Sequence, residues 1–231
     1  MDILEQTKPN KNKWISFLAD GILSGLMLGV GGMVSLSSEN RFLGAFLFSL
    51  GLFCIVQFKY GLFTGKVGYI VNRDLPYVAE TAVTLVGNAL GTLIAALLLR
   101  QVRFFTSTVS TMDVTISDRV QATVSGKIHD NPLSIFILAI FCGILMFTAV
   151  EGSRKCREEQ NFTCSLFVVV MPVMVFIICG FNHCIADMFY YFFAGCPEPS
   201  KAIVYFILAI AGNSVGGMIV PLLKKLSNQP L

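Results

Sequence analysis

Six apolar runs govern what this chain can fold into. They cover residues 14–36, 42–63, 77–99, 133–150, 165–193 and 202–223, each near or above the roughly 20 residues that carry a helix across hydrocarbon. Only 13% of the 231 residues are charged and 55% are hydrophobic, where a water-soluble chain carries roughly 25% charged residues. Such a chain cannot clothe a core in a polar shell, so most of its surface faces lipid. Helices satisfy their own backbone groups there, and open strands do not. The expected class is an all-α membrane protein with six transmembrane helices, one domain over residues 1–231.

The charge that remains orients the spans. With residues 1–13 inside, the inner segments hold Lys8, Lys11, Lys13, Lys59, Lys66, Arg73, Arg154, Lys155, Arg157, Lys224 and Lys225. The outer ones hold only Arg41, Arg100, Arg103, Arg119, Lys127 and Lys201. Excess Lys and Arg mark the cytoplasmic side, which predicts both termini inside. Residues 1–13 are too polar for a signal peptide, so the first span is expected to stay attached. A net charge of +3 without a basic face argues against nucleic acid. The one sizeable extramembrane piece is 100–132, whose Ser, Thr and charges suit a short amphipathic or loop element. The seven cysteines have no CxxC pair and read as small hydrophobes in a reduced chain.

A repeat is visible: Gly87-Asn88-Ala89-Leu90-Gly91 in the third span returns as Gly212-Asn213-Ser214-Val215-Gly216 in the sixth. Two halves of three spans, about 14–100 and 133–226, must enter the membrane from opposite sides because three is odd, which is an inverted repeat. The middle span of each half is interrupted, by Phe58-Lys59-Tyr60-Gly61-Leu62-Phe63-Thr64-Gly65-Lys66 and by Gly180-Phe181-Asn182-His183-Cys184-Ile185-Ala186-Asp187. Broken helices at membrane depth survive only where protein or a water-filled cavity satisfies their backbone, and a matched pair points to a central site. Glycines 21, 25 and 29, 87 and 91, and 212 and 216 read as close-packing faces, with Asn88 and Asn213 bonding across helices.

His183 is the sharpest chemical signal, because an ionisable group at mid-membrane is costly and by default functional. Thr64, in the other break, offers a hydroxyl to a passing anion or to the imidazole; bonding to its own turn is the plainer reading until the breaks are seen to meet. Asp20 and Asp187 read as caps or interface residues. Lys59, Lys66 and Lys127 suit the mouths of a passage, with snorkelling the competing reading for the first two. Trp14, Tyr190 and Tyr191 fit an interfacial aromatic belt. An enzyme would need a base aimed at a nucleophile, and Cys184 beside His183 has a diverging side chain. Two distant histidines give a metal no ligand set, and no cofactor is expected.

Leu62-Phe63-Thr64, the Gly180 to Phe189 stretch and the two Gly-Asn-x-x-Gly runs together resemble the formate/nitrite transporter family. Gly180-Phe181-Asn182-His183-Cys184-Ile185-Ala186-Asp187-Met188-Phe189 is most similar to its hydrosulfide-channel branch. The resemblance implies an aquaporin-like fold with helices 2 and 5 broken, and a homopentamer in a bacterial inner membrane, each protomer with its own pore. It also implies that His183 faces Thr64 at the pore centre, with Leu62 and Phe63 in a gating loop. Phe48, Leu52, Leu62 and Phe176 then fall on apolar constrictions, and Lys127 on a vestibule lysine. Two departures stand out: Gly143 replaces a pore asparagine of formate-type members, and Asn182 replaces the glutamate before the histidine. Both favour a smaller ion, hydrosulfide, over the alternative of formate or nitrite, with chloride a further candidate. Aquaporins proper would carry Asn-Pro-Ala at both breaks, and the one Asn-Pro, at 131–132, precedes the fourth span. A membrane scaffold without flux is the reading from outside the class.

Overall fold

The computed structural model describes residues 12–109 and 114–227. Lys8 and Lys11, counted among the inner cations, lie outside the described residues. The helices are α1 (Lys13–Ser37), α2 (Arg41–Gln57), α3 (Phe63–Lys66), α4 (Leu75–Leu99), α5 (Ile116–Ile128), α6 (Pro132–Glu158), α7 (Phe162–Cys179), α8 (Cys184–Phe193) and α9 (Pro199–Leu226). Five of them, α1, α4, α6, α7 and α9, are long and apolar enough to cross a membrane. The second and fifth expected spans instead appear as pairs of helices, α2 with α3 and α7 with α8. The chain is a multi-pass membrane protein.

Asparagines start many of these helices. Asn12, Asn40, Asn131 and Asn161 each accept a hydrogen bond from a backbone N–H of the turn they open, which satisfies donors that have no partner within the helix. Pro132 adds its preset φ at the start of α6. At the far end of α7, Gly180 takes φ 72° and turns the chain out of the helix, a conformation that glycine adopts without a Cβ clash.

Glycines set how closely the long helices pair. A Cβ on Gly21 would lie 2.9 Å from the Gly87 Cα, and one on Gly91 would lie 2.9 Å from the Gly25 Cα, so α1 and α4 touch backbone to backbone. Gly212 and Gly216 bring α9 against Phe136 and Ile140 of α6 in the same way. The packing reading of these glycines therefore holds. Gly143 belongs with them: a Cβ there would run into Asn213 and Gly217 of α9. The expectation that this position looks into a pore is corrected, because its space is filled by helix backbone.

Segment 100–132 folds as a 3₁₀ turn at Arg103–Thr106, an antiparallel pairing of Thr108–Val109 with Val114–Thr115, and α5. The α5 helix opens with a capping box between Thr115 and Asp118 and buries Ile116, Val120, Val124 and Ile128, one face at four-residue spacing. Arg119 donates to the Leu36 and Ser38 carbonyls at the end of α1, and Gln121 donates to the Ala194 carbonyl. The segment is a strap over one end of the bundle.

Three further expectations are corrected. Cys156 and Cys164 are joined in a disulfide across the α6–α7 hairpin; eight residues apart in sequence, they face each other only because that hairpin turns back on itself. Tyr190 and Tyr191 are buried rather than interfacial, Tyr190 beside Gly32 of α1 and Tyr191 against Phe206 of α9. Asp187 does not reach an interface; it is buried, and its carboxylate pairs with Lys127 and Tyr205.

Candidate functional site at the paired helix breaks

Each break is held by one asparagine. After α2 the chain passes Lys59 at φ 59° and runs through Gly61 and Leu62 before α3. The Asn88 amide donates to the Gly21 and Gly61 carbonyls at 2.9 and 2.8 Å, and its oxygen accepts the Phe63 N–H at 2.9 Å. In the second break Asn213 repeats the pattern, donating to the Ala139 and Asn182 carbonyls at 2.8 Å each and accepting the Cys184 N–H at 2.9 Å. A Gly-Asn-x-x-Gly run thus supplies glycines for close packing and an amide that replaces the missing helix bonds.

The two breaks meet. Thr64 Oγ1 lies 3.1 Å from His183 Nε2, and both side chains are sealed from solvent, at 0% and 1% exposure. The reading in which Thr64 bonds its own turn is set aside. His183 is also the N-cap of α8: its Nδ1 accepts the Ala186 N–H at 3.1 Å. A nitrogen that accepts carries no proton, so the neutral imidazole holds its hydrogen on Nε2 and donates it to Thr64. The threonine hydroxyl hydrogen is then free for another acceptor. Neither ring nitrogen is left for Cys184, so no activated thiol forms.

Apolar groups enclose this pair. The Phe176 ring stacks on His183 with centroids 5.6 Å apart, and Phe48 meets Phe176 edge-on at 5.7 Å. Phe48, Leu52, Leu62, Phe63 and Phe176 are all buried. Two cavities approach from opposite sides. One, of about 430 Å³, is lined by Phe176, Asp187, Lys127, Arg41, Arg119 and Glu39 among others. The other, of about 190 Å³, is lined by Leu62 and Gly65, which flank Thr64, with Lys59, Lys66, Tyr69 and Arg157. Lys66 is tucked over the Phe17 ring, 4.6 Å from its centroid, and donates to Thr84.

Lys127 reaches from α5 into the first cavity, donating to Asn182 Oδ1 at 2.8 Å and pairing with Asp187 at 3.2 Å. Tyr205 donates to the same carboxylate at 2.6 Å. Sequence reasoning named Lys127 but missed this network, although an acid four residues after the central histidine was its visible signal. It also missed Glu151, buried near the other cavity, where Tyr69 donates at 2.6 Å and Arg154 grips it with two bonds. Outside the membrane, the Asp118 carboxyl is held below the usual carboxylate range by the Thr115 hydroxyl and then the Thr115 N–H.

A multi-pass protein whose two interrupted spans meet at a sealed polar pair, with a cavity on either side, has the build of a transport protein. The chain belongs to the formate/nitrite transporter family, whose model, described as formate/nitrite transporter, matches residues 4–225. It is similar to the formate channel FocA of Haemophilus influenzae, 26% identical over 79% of this chain and 67% of that one. Similarity to FocA of Escherichia coli K12 is 27% over 64% of this chain. The match spans about half, 52%, of that relative's length. A solved structure described as a pentameric formate channel with formate bound superposes at a TM-score of 0.76 and 24% identity, covering 95% of this chain and 99% of that one. At that identity the likeness speaks for the fold.

Proposed function

We propose that the chain is a channel for small monovalent anions of weak acids, with one pore per protomer running between the two cavities through the Thr64–His183 pair. The observation that carries the reading is that pair, buried where the breaks meet and flanked by Phe48, Leu52, Leu62, Phe63 and Phe176. Formate is the first ion to test, because the named relatives are formate channels. Hydrosulfide is the second reading, and one observation favours it: the residue immediately before His183 is an amide, Asn182, and not a carboxylate. The Gly143 argument for a smaller ion no longer contributes, since that position packs on α9.

The matched Asn88 and Asn213 bonding, and the paired contacts of α1 with α4 and α6 with α9, support two inverted halves. A homopentamer in a bacterial inner membrane, both termini cytoplasmic, is the assembly we propose, on the family and on the excess of inner Lys and Arg.

Moving a bare anion into low dielectric costs on the order of 20 kcal/mol before compensation. The apolar ring strips water, so the compensation must come from the centre. With Nδ1 engaged by Ala186, the resting pair supplies the Thr64 O–H as a hydrogen-bond donor, backed by the Nε2–H of His183. Delivering a proton to the anion requires protonation of Nδ1 first, which gives up the cap of α8. Lys127, Arg41 and Arg119 add positive charge to the outer cavity and raise the local anion concentration.

The test is uptake into proteoliposomes with formate, nitrite, hydrosulfide and chloride in competition. Thr64→Val should abolish most flux and Thr64→Ser should retain it, while His183→Asn should alter the pH dependence. Equal flux through wild type and Thr64→Val, with both folded, would refute the central-pair reading. No flux of any of the four ions would return the protein to a scaffold role.

A further inference from the structure

The disulfide sits where the inner mouth is anchored. Cys156 lies in the last turn of α6 and Cys164 in the first turn of α7, and each has a neighbour that holds the end of α2. Arg157, next to Cys156, donates to the Val56 carbonyl. Ser165, next to Cys164, accepts from the Gln57 amide at 2.8 Å and lies 2.7 Å from Ser153 Oγ. Val56 and Gln57 are the last two residues of α2, and the chain then runs directly into the 58–62 break. Arg157 also lines the smaller cavity together with Lys59, Tyr60 and Leu62.

On the orientation set by the positive residues, this hairpin is cytoplasmic. Thiols are kept reduced there, and disulfides that do form are transient and redox-sensing. Cys156 is buried, whereas Cys164 is partly exposed, so an incoming thiolate can attack its sulfur with the Cys156 sulfur as leaving group.

We propose that Cys156 and Cys164 form a reversible dithiol–disulfide site, exchanging with small dithiols, whose state sets how firmly the α6–α7 hairpin holds the end of α2 and the 58–62 break. In the reducing direction one thiol of the dithiol forms a mixed disulfide with Cys164 and releases Cys156. Its second thiol then displaces Cys164 and closes the reagent's own S–S bond. Two electrons and two protons pass to the protein, and the oxidised dithiol carries the reaction back. The joined state fixes Arg157 and Ser165 relative to each other and so braces both contacts to α2; the open state leaves them to the hairpin's hydrogen bonds alone.

The experiment uses the full chain in proteoliposomes, poised with oxidised or reduced dithiothreitol and alkylated after denaturation. Of the seven cysteines, the oxidised protein should lack alkylation at Cys156 and Cys164 by peptide mass, and the reduced protein should carry it at both. Hydrogen exchange over 57–66 should quicken at least threefold on reduction in wild type and not in Cys156→Ser/Cys164→Ser. Arg157→Gln should keep the alkylation switch and lose at least half of the exchange response. Alkylation of both cysteines under oxidising poise, or equal exchange in the two states, would overturn the proposal. A flux comparison of the two states rests on the channel reading above. If no flux is seen in either state, that reading fails while the alkylation and exchange results still decide this one.

Discussion

Replacing Asn213 by alanine should loosen the second break. The change removes three hydrogen bonds at 2.8, 2.8 and 2.9 Å, but their losses differ. The Ala139 carbonyl lies inside α6 and keeps its helical partner. The Asn182 carbonyl and the Cys184 N–H, one in the break and one at the first position of α8, have only Asn213. Two stranded buried groups cost about 1–3 kcal/mol each. Interhelical bonds measured within membranes average nearer about 0.6 kcal/mol, which for three bonds sets a floor near 2 kcal/mol. The expected loss is therefore about 2 to 6 kcal/mol. Equilibrium unfolding in mixed lipid–detergent bicelles, titrated with SDS, measures it against wild type, with Asn88→Ala as the partner variant. A loss below about 0.5 kcal/mol in both variants, with flux unchanged, would refute the claim that the asparagines hold the breaks.

Other expectations can be checked alongside it. Lys127→Met strands the buried Asp187 carboxylate and should cost about 3–5 kcal/mol, most of it recovered in Lys127→Met/Asp187→Asn, as read by the same titration. Asp118 is held below its ordinary range by Thr115, so its contribution to the α5 start is full above the unfolded value of about 3.9 and is lost as pH falls through the lower folded value. Amide protection at 116–119 should stay level down to about pH 4 and then fall, and Thr115→Ala should lower it about fivefold at neutral pH. Gly91→Ala, driven against Ile22 and Gly25, should destabilise by about 1–3 kcal/mol. Gly126→Ala in α5, with nothing within 4 Å of the new Cβ, should gain about 0.5–1 kcal/mol.

What could be read from the residues followed local rules. The six apolar runs, the polar interruptions at 58–66 and 180–187, and the glycine faces each declare themselves within one helix length, and the structure places helix ends at 57 and 179 and restarts at 63 and 184. The matched breaks raised the meeting of Thr64 with His183 as one reading, and the family resemblance favoured it, because nothing local joins residues 119 positions apart. The Lys127–Asp187–Tyr205 network escaped for the same reason: α5 folds over the bundle from a segment whose composition announces a loop. The Cys156–Cys164 bond escaped because eight-residue spacing becomes contact only once the hairpin between them is drawn. Tyr190 and Tyr191 were misplaced by residue type, since aromatic tips that suit an interface also suit a buried polar cluster.

Each break is fastened by its own asparagine to helices of its own half, Asn88 to α1 and Asn213 to α6. The two loops are thus anchored separately where they dock on each other. The 3.1 Å between Thr64 and His183 is then a gauge of that docking. A slide of about 0.5 Å takes the pair past hydrogen-bond range. A movement of either loop by less than the width of an atom is therefore enough to part the central hydrogen bond.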